Sequence, residues 1–375
     1  MRLLSLVSLL LPGVLTAQPA SLIYRLGKDT VAVEQFTRTA TALAGDMVQR
    51  NGPAITRYRY AITLGRDGRP TAALLQRLNQ DGSAAPAPST TRFTITPDSV
   101  VREIVFADST QRRAFAAKGA YVNWPTFIYG PTELLAMARS RKQAVDSLPA
   151  IGSAGNQGFT GLTALGGDSV RFRGGAYAMV LRHDAQQRLL SVDGSGTTNK
   201  VTATRAGAVD FEAMAKAMKP TGVLSLREDA RAAFGPGGMV IVDYGRPQVR
   251  ERSVWGGVLV PFDSVWRMGA NDATHLFTTR PLVMGDLQLA PGMYTLWLQH
   301  TRTGTFLIVN RQTGQWGTGY SASQDLGKVA MTLAEAPGFV ETMTISVKAQ
   351  GATRGSIELA WGDKVASVPF TIGAR

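Results

Sequence analysis

The chain has 375 residues, a formal net charge of +13, 40 glycines, 18 prolines and no cysteine. The absence of thiols excludes disulfides, thiol catalysis and cysteine-ligated metals. The basic residues are scattered, without a run of five or six, which argues against a nucleic-acid-binding protein. Frequent Gly and Pro, together with only 18% charged residues, favour many short strands over long solvated helices.

Residues 1–20 have the pattern of a secretory signal peptide. Arg2 precedes the apolar run Leu3–Leu11, Pro12 ends that run, and small residues follow. We predict cleavage after Ala17. The alternative, a membrane anchor, is weaker because the run is too short to cross about 30 Å of hydrocarbon. We therefore expect an exported protein, periplasmic or extracellular, without a transmembrane segment in its mature chain.

Residues 21–204 are predicted to form an antiparallel β-sheet domain, a curved sheet or half-barrel. Apolar and polar residues alternate in Thr30–Thr37 and Ile55–Leu64, so one face of each strand is expected in a core and the other in water. One helix is predicted near residues 131–144, with Thr132 as its N-cap. The sheet resembles no family that we can name.

Residues 205–222 are predicted to be a helical linker, and residues 223–375 a β-sandwich or jelly-roll-like domain. Asp210 has the N-cap position of a short helix that Pro220 terminates. Beyond the linker, short strand patterns recur at regular intervals, and the glycine-rich turn 235–238 indicates a hairpin. Helices do not alternate with these strands, which argues against a parallel α/β fold.

The second half carries several motifs in a fixed order. They are DYGRP (243–247), WGG (255–257), VPF (260–262), VWRMGAN (265–271), LAPGMYTL (289–296) and NRQTGQWG (310–317). On these motifs, roughly residues 224–372 resemble a bacterial domain-of-unknown-function family, number 2911. Trp255 and Met268 are mild departures from the family pattern. The resemblance implies an exported β-sandwich protein of the bacterial envelope, and it implies no reaction, ligand or cofactor.

Five residues of the second half are candidate ligand-binding residues. A Trp face, an Arg fork and an Asn amide are suited to holding a sugar or a carboxylate. The alternative is structural: Arg267 could pair with Asp243 or Asp272, and Asn271 could occupy a left-handed turn. The candidates are Tyr244, Arg246, Trp266, Arg267 and Asn271.

A catalytic alternative rests on Asp243, Asp272 and His275. A His–Asp pair can act as a general base, although a histidine that is hydrogen-bonded within a sheet is the commoner case. The three histidines lack the spacing of a zinc motif, so we predict no metal site and no cofactor.

The leading functional hypothesis is therefore a non-enzymatic envelope protein that binds a ligand: a glycan, an anionic small molecule or an anionic envelope component. A glycan-acting hydrolase is the first alternative. A structural or assembly protein, whose first domain holds a lipid or a partner, is the second.

Overall fold

The computed structural model describes residues 19–141, 146–153, 155, 157–174, 177–197, 199–222 and 224–373. These residues form two β-sheets and two α-helices. The predicted fold class, mostly antiparallel β with few short helices, is confirmed. The predicted signal peptide lies outside the described residues, except for its last two positions.

The first part of the chain forms a sheet of fifteen strands, within the residues described. They are β1 (Ala20–Leu26), β2 (Asp29–Arg38), β3 (Ala42–Asn51), β4 (Ala54–Leu64), β5 (Pro70–Leu78), β6 (Thr90–Ile95), β7 (Ser99–Val105), β8 (Thr110–Ala116), β9 (Tyr121–Asn123), β10 (Leu148–Gly152), β11 (Gln157–Gly166), β12 (Ser169–Gly174), β13 (Tyr177–His183), β14 (Leu189–Asp193) and β15 (Thr202–Ala206). Neighbours are antiparallel except β9 and β10, which are parallel.

The N-terminal sheet curls so that its two edges approach each other. The chain starts at the centre with β1, meanders outward to the edge strand β8, and resumes at the opposite edge with β9. Only residues 117–120 join these two edges, so the ends of β8 and β9 lie within about 18 Å of each other. Across the same gap, Arg102 of β7 donates to the backbone oxygen of Ser153, 3.3 Å away. The predicted half-barrel is thus nearly closed.

Two helices pack on opposite faces of this sheet. Helix α1 (Thr132–Ser140) lies inside the curve, where Leu134 and Leu135 join the main core. Helix α2 (Phe211–Ala217) lies outside, with Phe211 packed on Val33 and Val48.

The predicted cap of α2 is confirmed, because Asp210 accepts from the backbone N–H of Ala213 at 2.9 Å. The predicted cap of α1 is wrong: the Thr132 hydroxyl instead donates to the carbonyl oxygen of Tyr129. Helix α1 ends at Ser140, whereas the end predicted near 144 falls on residues outside the described ranges.

The second part of the chain is a two-layered β structure. Its strands are β16 (Arg227–Phe234), β17 (Gly238–Gly245), β18 (Val265–Trp266), β19 (Thr274–Thr278), β20 (Leu282–Met284), β21 (Leu287–Leu289), β22 (Gly292–His300), β23 (Thr305–Asn310), β24 (Asp325–Ala349) and β25 (Arg354–Ile372). The first quarter of β24 pairs with β23, and the rest pairs with β25. Strand β24 therefore belongs to both layers, which enclose one apolar core.

The two parts touch where the β1–β2 turn meets the loop after β17. Arg250 forms an ion pair with Asp29, and Lys28 forms one with Glu251 at 2.8 Å. A Cβ on Gly27 would lie 1.9 Å from the carbonyl oxygen of Arg250, and Gly27 has a φ of +60°. Glycine is required at this position both by the close approach and by the left-handed backbone.

Candidate functional site

Three of the predicted contact residues form contacts within the β-sandwich itself. The Tyr244 hydroxyl is buried and donates to the carbonyl oxygen of Ile345 at 3.2 Å. Arg246 is held by the carbonyl oxygen of Met343 and by two side chains. The Trp266 ring stacks on that of Trp361, with centroids 5.5 Å apart and an interplanar angle of 15°. The sequence pattern detected their polarity and size, but their partners are other residues of the chain.

Asn271 lies at a turn beside the remaining candidate, Arg267. Its φ of 62° is left-handed, as the structural alternative anticipated. The backbone oxygen of Asn271 accepts from the N–H of Gly317 at 2.9 Å, while its side chain is exposed. The turn therefore fixes the 311–321 loop against the segment that carries Arg267.

Arg267 is half-buried beneath this loop. A Cβ on Gly317 would lie 2.1 Å from Cδ of Arg267, so the loop covers the arginine stem. Its Nε donates to the carbonyl oxygen of Gly269 at 3.2 Å. Neither anticipated partner, Asp243 nor Asp272, forms an ion pair with it, and no other described carboxylate does so. Burial lowers the pKa of Arg267.

A lysine of the N-terminal sheet lies close enough to Arg267 and to Arg252 for both charges to act on it. Lys200 lies in the loop between β14 and β15. Burial lowers the pKa of Lys200, and so do the positive charges of Arg267 and Arg252. Burial, followed by the charge of Arg250, lowers the pKa of Arg252 to about 10. We call Lys200, Arg252 and Arg267 the cationic cluster.

No member of the cationic cluster forms an ion pair with a carboxylate of the described residues, although the charge of Glu341 favours the charged form of Arg252. Arg252 donates to two backbone oxygens, those of Val249 and Gln248, and its charge has no carboxylate within ion-pair distance there. Lys200 also has no carboxylate within ion-pair distance among the described residues. By contrast, the neighbouring Arg250 is paired with Asp29. Sequence reasoning missed Lys200 because it is far from Arg267 along the chain and belongs to no motif.

The proposed catalytic residues also come close together, through Arg227. Arg227 donates to the Asp243 carboxylate at 2.8 Å and to the backbone oxygen of Asp272 at 3.3 Å. Nε2 of His275 accepts from the N–H of Gly314 at 2.9 Å, and its Nδ1 lies 3.2 Å from Nη2 of Arg227. Burial and the charge of Arg227 lower the pKa of His275. Both ring nitrogens of His275 therefore face donors of the protein itself, which leaves neither of them open to a substrate.

The second part of the chain, which carries the ordered motifs, matches a protein-family model. Residues 228–370 match the model of a protein family of unknown function, DUF2911. The resemblance predicted from the motifs is confirmed. No curated protein matches the chain.

One solved structure is similar to part of the chain. It is a DUF1089 family protein from Pseudomonas aeruginosa, 11% identical, and the match covers 51% of this chain and 95% of that one. The TM-score is 0.28, a likeness too loose to carry an argument about fold or function.

The DUF2911 part therefore supplies two of the three cations, and the N-terminal sheet supplies the third. Among the described residues, no group of three or more His, Asp or Glu side chains could hold a metal ion. Neither of the helices described has the length and the apolar character needed to cross a membrane.

Proposed function

We propose that this protein binds an anionic small molecule, without turning it over, where the N-terminal sheet meets the DUF2911 part. The observation that carries the proposal is the cationic cluster: Lys200, Arg252 and Arg267 are half-buried, the charges of both arginines act against that of Lys200, and none of the three forms an ion pair with a carboxylate among the residues described. Partly buried like charges have lost hydration and repel each other. A bound anion would offset both penalties at once.

The three side chains suit a phosphate or carboxylate group. Arginine guanidinium groups present paired donors in a planar fork, and a lysine ammonium adds a point charge. Because Lys200 comes from one part of the chain and the arginines from the other, a ligand here would contact both parts. The hydrolase alternative lacks such support, since His275 and Asp243 are bonded to Gly314 and Arg227.

Isothermal titration calorimetry with inorganic phosphate and citrate tests the binding. We expect Lys200→Met and Arg267→Met each to weaken binding about tenfold or more, because a hydrogen bond to a charged group contributes about 1.5–3 kcal/mol. Lys118→Met is the matched control, since Lys118 is exposed and remote from the cluster. The ligand-free Lys200→Met protein should also melt at a higher temperature, because a repulsive charge has been removed.

Two results would contradict the proposal. One is anion binding that is equally tight in Lys200→Met, Arg267→Met and Lys118→Met, which would place the anions elsewhere. The other is the absence of binding to the wild-type protein at millimolar phosphate and citrate.

We also propose the cell envelope as the setting. Its support is the leader pattern of residues 1–20. In a bacterial host, N-terminal sequencing of the protein recovered outside the cytoplasm should begin at Gln18. Recovery of the full-length chain from the cytoplasm alone would contradict export.

A further inference from the structure

We propose that a cavity between α1 and the curled sheet is a binding site for a compact apolar molecule, such as a short alkyl chain or a single ring. The cavity has a volume of about 330 Å³. This site is separate from the cationic cluster and does not depend on it.

The cavity forms where the two edges of the sheet approach each other. Its walls come from the β4–β5 turn, the end of β6, the link between β8 and β9, helix α1 and the start of β10. The side chains that line it are mainly apolar: Ile95, Tyr121, Leu134, Leu135, Ala138 and Leu148. Water in this cavity would form few hydrogen bonds with these side chains, so an apolar molecule would be favoured in its place.

Helix α1 cannot move into the cavity, because buried ion pairs hold its other side. Glu133, on the first turn of α1, pairs with Arg38 at 2.7 Å and with Arg205 at 3.1 Å. It also accepts from the backbone N–H of Leu189 at 2.8 Å. These contacts draw the helix toward the β13–β15 side of the sheet.

The segment before α1 is also fixed. The carboxylate of Glu34 on β2 accepts from the backbone N–H groups of Tyr129 and Gly130. A helix held at its start and on one side leaves apolar surface unfilled on the other. Collapse normally reduces the penalty of a cavity, and here it is prevented. The cavity is therefore held open before a ligand arrives. Such preorganisation is typical of a ligand pocket.

The mouth of the cavity is polar. Arg141, just beyond α1, donates to the carbonyl oxygen of Asp67 at 3.0 Å and lies against Gly68 of the β4–β5 turn. Asp67 and Arg69 line the cavity beside this contact. The polar rim faces water while the apolar part of the ligand lies within.

Straight-chain alcohols from butanol to octanol are the probes, measured by calorimetry and by thermal shift on the full chain. We expect affinity to rise about fourfold per methylene until the cavity is full. Ala138→Leu should fill the space, weaken octanol binding at least tenfold and raise the melting temperature. Ser140→Leu adds the same side chain to an exposed position of α1 and should change neither quantity.

Leu148→Ala is a second variant, in case Ala138→Leu does not fold. It enlarges the cavity, so the preferred alcohol should become longer. Affinities that are independent of chain length in the wild-type protein would overturn the proposal. So would octanol binding that Ala138→Leu leaves unchanged. Phosphate binding should be the same in all these variants, which separates this site from the cationic cluster.

Discussion

Relative to the wild-type protein, replacing Glu34 with glutamine is expected to make the slope of folding stability against pH more positive between about 4.5 and 6.5, whereas replacing His183 with leucine should make it more negative. Both residues are buried in the N-terminal sheet, and their pKa values are displaced in opposite directions. The slope of stability against pH is the quantity of interest, because each substitution also changes the mean stability.

Glu34 favours its protonated form in the folded protein. Burial raises its pKa from 4.5 to about 7, against hydrogen bonds from Tyr24, Tyr60 and two backbone N–H groups, which favour the carboxylate. The folded state then binds more protons than the unfolded state between these pH values. The contribution of Glu34 is therefore complete below pH 4.5 and is lost as pH rises through 7, a change of about 3 kcal/mol.

His183 has the opposite effect. Burial lowers its pKa from 6.5 to about 4, and neither ring nitrogen has a hydrogen-bond partner in the described part of the chain. The folded state binds fewer protons than the unfolded state in this range. Stability from His183 is thus lost as pH falls from 6.5 to 4, again by about 3 kcal/mol. In the wild-type protein these two contributions oppose each other.

Urea unfolding at several pH values between 4 and 7 measures these slopes. Glu34→Gln removes a contribution that falls with pH, while His183→Leu removes one that rises. Slopes that both change in the same direction from the wild-type slope would contradict the assignment. Because the comparison uses slopes, it remains valid if the glutamine amide satisfies the four donors around position 34 poorly.

Trp361→Ala is expected to lower the free energy of unfolding by about 3–5 kcal/mol, as for other buried tryptophans. Trp361 is 1% exposed, lies in the core of the DUF2911 part and stacks on Trp266. Its removal leaves a cavity and deprives Trp266 of its partner. Such a loss is a large share of the roughly 5–15 kcal/mol that stabilises a typical domain.

Trp316→Ala is the matched control. Trp316 is 52% exposed in the loop beside Arg267, so its truncation should cost under about 1 kcal/mol. Denaturant unfolding followed by far-UV circular dichroism compares the two variants. Equal losses would show that the two rings are not divided between core and surface as the fold indicates.

Some features follow from local sequence. Alternation in Thr30–Thr37 and Ile55–Leu64 predicts strands because successive side chains of a strand point to opposite faces. Asp210 caps α2 because its carboxylate reaches an amide three residues away. The glycine-rich turn 235–238 joins β16 and β17 because glycine adopts the backbone conformations that a tight hairpin turn requires. The ordered motifs of residues 243–317 also sufficed to predict the family match.

Other features depend on contacts between distant residues. Side-chain type alone placed Tyr244, Arg246 and Trp266 among the contact residues. Their partners Ile345, Met343 and Trp361 are about a hundred residues away along the chain. No local pattern shows whether a polar group faces a ligand or another strand. No local pattern shows, either, that Trp361 is buried in the core while Trp316 is exposed.

The sequence by itself thus determined the strand-rich class, the turns, the cap of α2 and the family of the second half, because each depends on neighbours along the chain or on ordered motifs. Only the tertiary structure brought Lys200 to Arg267, buried Glu34 beneath Gly130, and left a cavity beside Ala138. The physical reason is that charge repulsion, desolvation and packing depend on distance in space. The curl of the fifteen-stranded sheet and its contact with the second part of the chain set those distances without leaving a local pattern in the sequence.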